Sequence, residues 1–279
     1  MRVGRIPYVN CYPVYGAIDR GVVRLAARLV DGVPTALNRQ MATGSLDVSV
    51  VSVVEYARNA NRYLLLPDLA ISCDGPVRSV ALFSRRPAPE LDGRRVVVSR
   101  SSMTSAALLE LLFEHVWRAR PQFVPGDAEL SDLDRFAGEA HDARLVIGDA
   151  ALLLTANRGA KAPVSYDHAY DLGTEWKAWT GLPFVFAIWV AQRTTASEQA
   201  LEASAALRAS RDWGLDHLAV LAEQAAAATG VDERACLEYL SGLDYGLSYA
   251  HLAGLTEFLR RLVAAGRVPD GSLAFLPAA

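Results

Sequence analysis

The chain has 279 residues, 52% hydrophobic and 21% charged, and 28 basic against 31 acidic side chains leave a formal charge of −3. That composition excludes a disordered chain and supplies enough apolar surface for one large core or two smaller ones. The near-neutral balance argues against a nucleic-acid binder, which carries a basic stripe, and leaves room for a small anion pocket.

The first half alternates short apolar strands with helical stretches. Strands are predicted at residues 2–6, 25–30, 46–51 and 63–66, with a loop over 7–13 followed by a short helix to about Arg20, and helices over 34–43 and 53–59. Pro34 stands near its helix start, where a missing N–H costs little. This rhythm predicts a mostly parallel sheet with helices on both faces. A second series follows: strands at 77–84 and 94–99, a helix over 102–118 with Leu108, Leu109, Leu112, Phe113 and Val116 on its apolar face, strands at 122–124 and 144–147, and a helix over 149–155. Residues 182–191 are apolar on both faces and strand-like. Beyond them the pattern is helical, at 197–228, 232–240 and 248–265.

The arrangement predicts two α/β lobes of mixed sheets joined by two crossings. Lobe 1 takes residues 1–83 and 186–279, with the helical tail packed on it, and lobe 2 takes 84–185. Ser79–Ser84 is the outgoing crossing strand and Phe184–Val190 the returning one. A ligand in such a fold sits in the cleft, against loops at the carboxyl ends of strands.

Export and membrane insertion are not expected. The apolar run at 182–191 is half of the roughly 20 residues a spanning helix needs, and MRVGRIPYVN lacks an apolar signal core. Cys11, Cys73 and Cys236 are odd in number and far apart, which fits a reducing cytoplasm better than a disulfide framework or a CxxC zinc site. The five histidines are scattered without ligand spacing, so no metal is expected. Phosphate-loop, dinucleotide and nucleophile-elbow motifs are missing.

Small polar residues at strand ends carry what chemistry is legible. Asn10 follows the first strand; it reads first as a turn former, and otherwise as a carboxamide facing the cleft. Ser99 to Ser105 closes a strand and opens a helix. Its hydroxyls at Ser102, Thr104 and Ser105 exceed what one cap needs, so capping and anion binding weigh equally. Ser52 and Asp149 also end strands, each as a helix cap or a cleft group. Arg78, beside Ser79 at the crossing, pairs with a ligand anion or points to solvent. Trp176, Trp179 and Phe184 read as core.

Several stretches in order resemble the chorismate dehydratases of the futalosine route to menaquinone. They are Gly4-Arg5-Ile6-Pro7-Tyr8-Val9-Asn10 with Pro13, the run from Leu65 to Ser72, Asp74-Gly75-Pro76-Val77-Arg78-Ser79-Val80, Ser102-Met103-Thr104-Ser105, Ile147-Gly148-Asp149-Ala150-Ala151-Leu152, and Asp171 through Trp176 to Ala187. The resemblance spans residues 1 to about 190 and reaches the tail only in general character. It implies a periplasmic-binding-protein type II fold and dehydration of chorismate, a small dianion, to 3-[(1-carboxyvinyl)oxy]benzoate with neither cofactor nor metal. The sister dihydroxynaphthoate synthase opens on a Ser-Pro-Cys-Pro-Asn-Asp type of motif, which Ile6-Pro7-Tyr8-Val9-Asn10-Cys11 does not match.

Two carboxylates need two anion sites. The expected pair is the Ser102–Ser105 helix start, and Arg78 with Ser79. No His or Glu in the matched motifs is an evident base, so the substrate's own side-chain carboxylate is expected to take the proton. Asn10 then orients the departing hydroxyl, with Asp149 as the fallback base. The sister 1,4-dihydroxy-6-naphthoate synthase, or a non-enzymatic anion-binding protein of the same fold, is the alternative, and the oligomeric state, monomer or homodimer, stays open.

Overall fold

Strand order in space differs from strand order in sequence, and that difference builds the cleft. The computed structural model describes residues 1–136, 138–156 and 166–277. The first sheet joins β1 (Arg2–Arg5), β2 (Arg28–Asp31), β3 (Val48–Ser52), β4 (Tyr63–Cys73) and, from far along the chain, β10 (Phe184–Gln192), in the order β2-β1-β3-β10-β4. The second joins β5 (Val80–Ser84), β6 (Arg95–Ser99), β7 (Gln122–Gly126), β8 (Ala143–Ile147) and β9 (His168–Asp171), in the order β7-β6-β8-β5-β9.

Both sheets are mixed, as the two-lobe reading expects; the mostly parallel sheet suggested by the rhythm of the first half alone is not formed. β1 pairs in parallel with β2 and β3, whereas β10 runs antiparallel to β3 and β4. In the second sheet β6 is parallel to β7 and β8, and β5 antiparallel to β8 and β9. A strand returning from the other lobe enters from the opposite end, so the two crossings reverse direction locally. The chain changes sheet between Cys73 and Val80 and again between Asp171 and Phe184. Val80–Ser84, expected as the crossing strand, pairs along its whole length inside the second sheet.

Strand β4 is much longer than its predicted stretch. Proline has no ladder donor, so Pro67 should end a strand. A register shift against β10 absorbs it instead, with Asp68 in a left-handed conformation (φ 58°). The Arg211 guanidinium binds Asp68 Oδ2 at 3.1 Å, and the Leu247 amide binds Oδ1 at 3.1 Å, so the helical tail pins this bulge.

The first-lobe helices are α1 (Tyr12–Asp19), α2 (Pro34–Ala42) and α3 (Val53–Arg58); α4 (Thr104–Leu112), α5 (Gly148–Ala156) and α6 (Leu172–Thr180) follow. Beyond α4 the backbone winds as a π-helix from Phe113 to Trp117 and stops at Arg118 (φ 56°). The tail is α7 (Ser197–Asp216), α8 (Leu218–Thr229), α9 (Glu233–Ser241) and α10 (Tyr249–Ala264). One helix was predicted over 197–228; it breaks at His217, whose ring bonds the Trp213 carbonyl at 2.7 Å and stacks on that indole. Helix α7 packs on α1 and α10 on β10, so the tail covers the first lobe. Trp176 and Phe184 are buried as core, and no helix among the described residues is long and apolar enough to cross a membrane.

Candidate active site

A narrow cavity of about 70 Å³ opens between the sheets where the first loop, the crossing and the start of α4 converge. Six of the predicted residues line it: Asn10, Ser52, Ser79, Ser102, Thr104 and Ser105. Apolar walls come from Ile71, Ile147 and Phe186, and no lining residue is charged among the described residues.

Asn10 sits in a 3₁₀ turn (Val9–Cys11) between β1 and α1. Its Oδ1 is buried and has no hydrogen-bond partner among the described residues. A turn-forming asparagine would bond nearby backbone, so the turn-former reading is not what the geometry supports. Thr104 Oγ1, across the cavity, is likewise buried and without a partner. Unsatisfied buried polar atoms are costly, and here two of them stand at one cavity.

The start of α4 differs from a capped helix. Met103 occupies the N-cap and no side chain caps the turn, while Ser102, Thr104 and Ser105 face the cavity. The hydroxyl run therefore does not serve capping. First-turn amides and the positive end of the dipole are left for an anion. Ser52, by contrast, does both tasks: it caps α3 by accepting from Glu55 N at 3.1 Å, and it also lines the cavity.

Two predicted residues lie elsewhere. Arg78 adopts a left-handed backbone (φ 61°), held by Asp171, whose carboxylate accepts from Val77 N at 3.0 Å and from Arg78 N at 2.6 Å. That twist turns the guanidinium out of the cavity toward Glu238, 3.8 Å away. Asp149 does not line the cavity; its Oδ1 accepts from Val9 N at 3.0 Å, across the cleft. Burial pushes its pKa up to about 6, opposed by the Val9 N–H and reinforced by the charge on Glu129.

A second contact closes the same loop, and no local sequence pattern signals it. Glu129, in the second lobe, takes the Tyr8 hydroxyl at 2.8 and 3.0 Å and the Ser101 hydroxyl at 2.5 Å. Gly148 is left-handed (φ 64°), and a Cβ there would come within 2.9 Å of the Tyr8 ring. Tyr8, Val9 and Asn10 are thus clamped by two carboxylates from the opposite lobe. Cys11 is buried, and burial pushes its thiol well above the usual range, which leaves it inert. Among the described residues, no group of three or more His, Cys, Asp or Glu side chains is placed to hold a metal ion.

Comparisons with known proteins bear on the fold and the family. The chorismate dehydratase of Thermus thermophilus is 34% identical over 92% of this chain and 95% of its own. That of Campylobacter jejuni is 28% identical over 67% of this chain and 66% of its own. Among solved structures, a protein of Archaeoglobus fulgidus superposes with a TM-score of 0.76 at 21% identity, over 96% of this chain and 98% of that one. The alkanesulfonate-binding protein of Xanthomonas axonopodis pv. citri gives 0.67 at 14% identity, over 98% and 96%. These likenesses establish a periplasmic-binding-protein type II fold. The family described as menaquinone biosynthesis matches residues 1–264, and with the Thermus relative this shows that the chain belongs to that family.

Proposed function

We propose that the protein is a carbon–oxygen lyase that removes water from chorismate to give 3-[(1-carboxyvinyl)oxy]benzoate. The observation that carries this reading is the unpartnered Asn10 Oδ1, held in an uncharged cavity opposite an uncapped helix start. Relatives named chorismate dehydratase support it.

The substrate brings two carboxylates, a ring hydroxyl and an acidic ring C–H beside the enolpyruvyl ether. One carboxylate fits the α4 start, where amides and the hydroxyls of Ser102, Thr104 and Ser105 gather. Asn10 Oδ1 accepts the hydrogen of the ring hydroxyl and so fixes the direction of the breaking C–O bond. The substrate's side-chain carboxylate takes the ring proton, since Asp149 is engaged by the Val9 amide and lies off the cavity. The electron pair left on the ring expels hydroxide, which leaves as water with that proton, and aromatisation drives the step. The protein's contribution is conformation and preset dipoles.

Incubation of the purified protein with chorismate, followed by loss of diene absorbance, tests the reading. Catalytic loss with formation of the aromatic enol ether is expected. A stable chorismate complex without turnover would make the protein a binding module instead.

A further inference from the structure

An uncharged cavity is an unusual place for a dianion, because a carboxylate leaving water must find donors or a cation. Among the described residues no Lys or Arg lines the cavity, and the one predicted cation, Arg78, turns away. The donors therefore have to come from dipoles, and a serine hydroxyl serves only when its hydrogen is free to point at the ligand.

We propose that Asn38 and Tyr239 are positioning residues that load two cavity serines from behind, so that Ser52 and Ser79 present their own hydrogens to a ligand carboxylate. This deepens the reading above and rests on it for the identity of the ligand.

Asn38 lies on α2 and is 2% exposed. Its carboxamide grips Ser52 at two points: Nδ2 donates to Ser52 Oγ at 3.0 Å, and Oδ1 accepts from Ser52 N at 3.1 Å. The reverse orientation would set two donors against each other at the Ser52 amide, so the side-chain amide is fixed as described. Ser52 Oγ also accepts from Glu55 N. Both acceptor positions of the hydroxyl are then occupied from behind, and its hydrogen is directed forward, where the residue lines the cavity.

Tyr239, on α9 of the tail, is 1% exposed and donates to Ser79 Oγ at 2.7 Å. A phenol is the better donor of the two hydroxyls and an alkyl hydroxyl the better acceptor, which sets the direction. Neither Ser52 Oγ nor Ser79 Oγ donates to a protein acceptor among the described residues. Three other buried serines spend that hydrogen on a backbone carbonyl: Ser49 on Val50, Ser72 on Asp244 and Ser84 on Arg86.

Asn38→Asp and Tyr239→Phe test the arrangement. An aspartate oxygen in place of Nδ2 would take the Ser52 hydrogen and turn it backward; the phenylalanine frees Ser79 to rotate. For chorismate, KM is expected to rise about tenfold in Asn38→Asp and somewhat less in Tyr239→Phe, with kcat within about twofold, since the lost contact is to a carboxylate present throughout the reaction. Circular dichroism melts confirm that each variant folds. Titration with benzoate and benzamide gives a reading that does not need turnover: both variants should weaken benzoate and spare the neutral amide. Equal weakening of both probes, unchanged benzoate binding, or a wild-type protein that does not prefer benzoate would each overturn the proposal. Absence of chorismate turnover by the wild type would overturn the lyase reading alone.

Discussion

The two walls of the cavity are built by different means. One wall is made of side chains, Asn10, Ser52 and Ser79, each placed by a different element and two of them held from behind by buried donors. The other is a helix start, where backbone amides converge without a side-chain cap and Thr104 adds one unpartnered hydroxyl. The helix start is robust, because backbone amides cannot be mutated away. The side-chain wall can be altered one atom at a time. Under the proposed function, a neutral site divided in this way would hold an anion without a buried cation, whose desolvation would cost several kcal/mol.

The sharpest break of that division is Asn10→Ala. It should lower kcat by about 10²- to 10³-fold, as loss of one preset polar group does elsewhere, while product affinity falls less than about tenfold. Equal losses in steady-state kinetics and product titration would move Asn10 to the binding role of the opposite wall.

Next in size is the clamp that brings the walls together. Tyr8→Phe and Glu129→Gln should each raise KM about fivefold, and the double variant should cost little more than either single one, because they share a contact. Additive losses in a double-mutant cycle would show that the pair does not act as a unit.

On the helix wall, Thr104→Val should act with opposite signs on binding and stability. Removing a buried hydroxyl without a partner should stabilise the free protein by about 1 kcal/mol in denaturant unfolding, while product affinity drops about fivefold. A destabilised variant with unchanged affinity would mean that the hydroxyl is satisfied internally.

The smallest effect on turnover is expected at Asp149. Its pKa lies at about 6 when folded, against the ordinary 3.8, so the folded state binds the proton more tightly. Stability from that proton is fully present below pH 4 and is lost as the pH rises through 6, amounting to at most about 3 kcal/mol. Asp149→Asn keeps an acceptor for the Val9 amide and should flatten this slope in unfolding curves measured from pH 4 to 7, with kcat within about twofold.

The order of elements was legible because apolar periodicity is a local property. Strands near Arg2, Val48, Arg95 and Ala143 and helices from Pro34 and Val53 fall close to where their patterns put them. The misses were non-local. Pro67 ended a predicted strand that a bulge and Arg211 carry through to Cys73. β9 and α6 gave no separate signal in a short, mixed segment. The hydroxyl run at Ser102–Ser105 lines the cavity at the α4 start, whereas Arg78 does not line it. A side chain's chemistry is visible in sequence, and its direction is not when one left-handed backbone angle decides it.

By itself the sequence determined the fold class, the family resemblance and a hydroxyl-rich candidate site that also included Arg78 and Asp149. These follow from patterns along one stretch of chain and from residue types. Tertiary structure alone decided which polar atoms lack partners, which carboxylates clamp the Asn10 loop, and that Asn38 and Tyr239 stand behind Ser52 and Ser79. Those facts depend on contacts between residues 14 and 160 positions apart. A hydroxyl's free hydrogen is a property of everything packed around it, and no local pattern of residues records that.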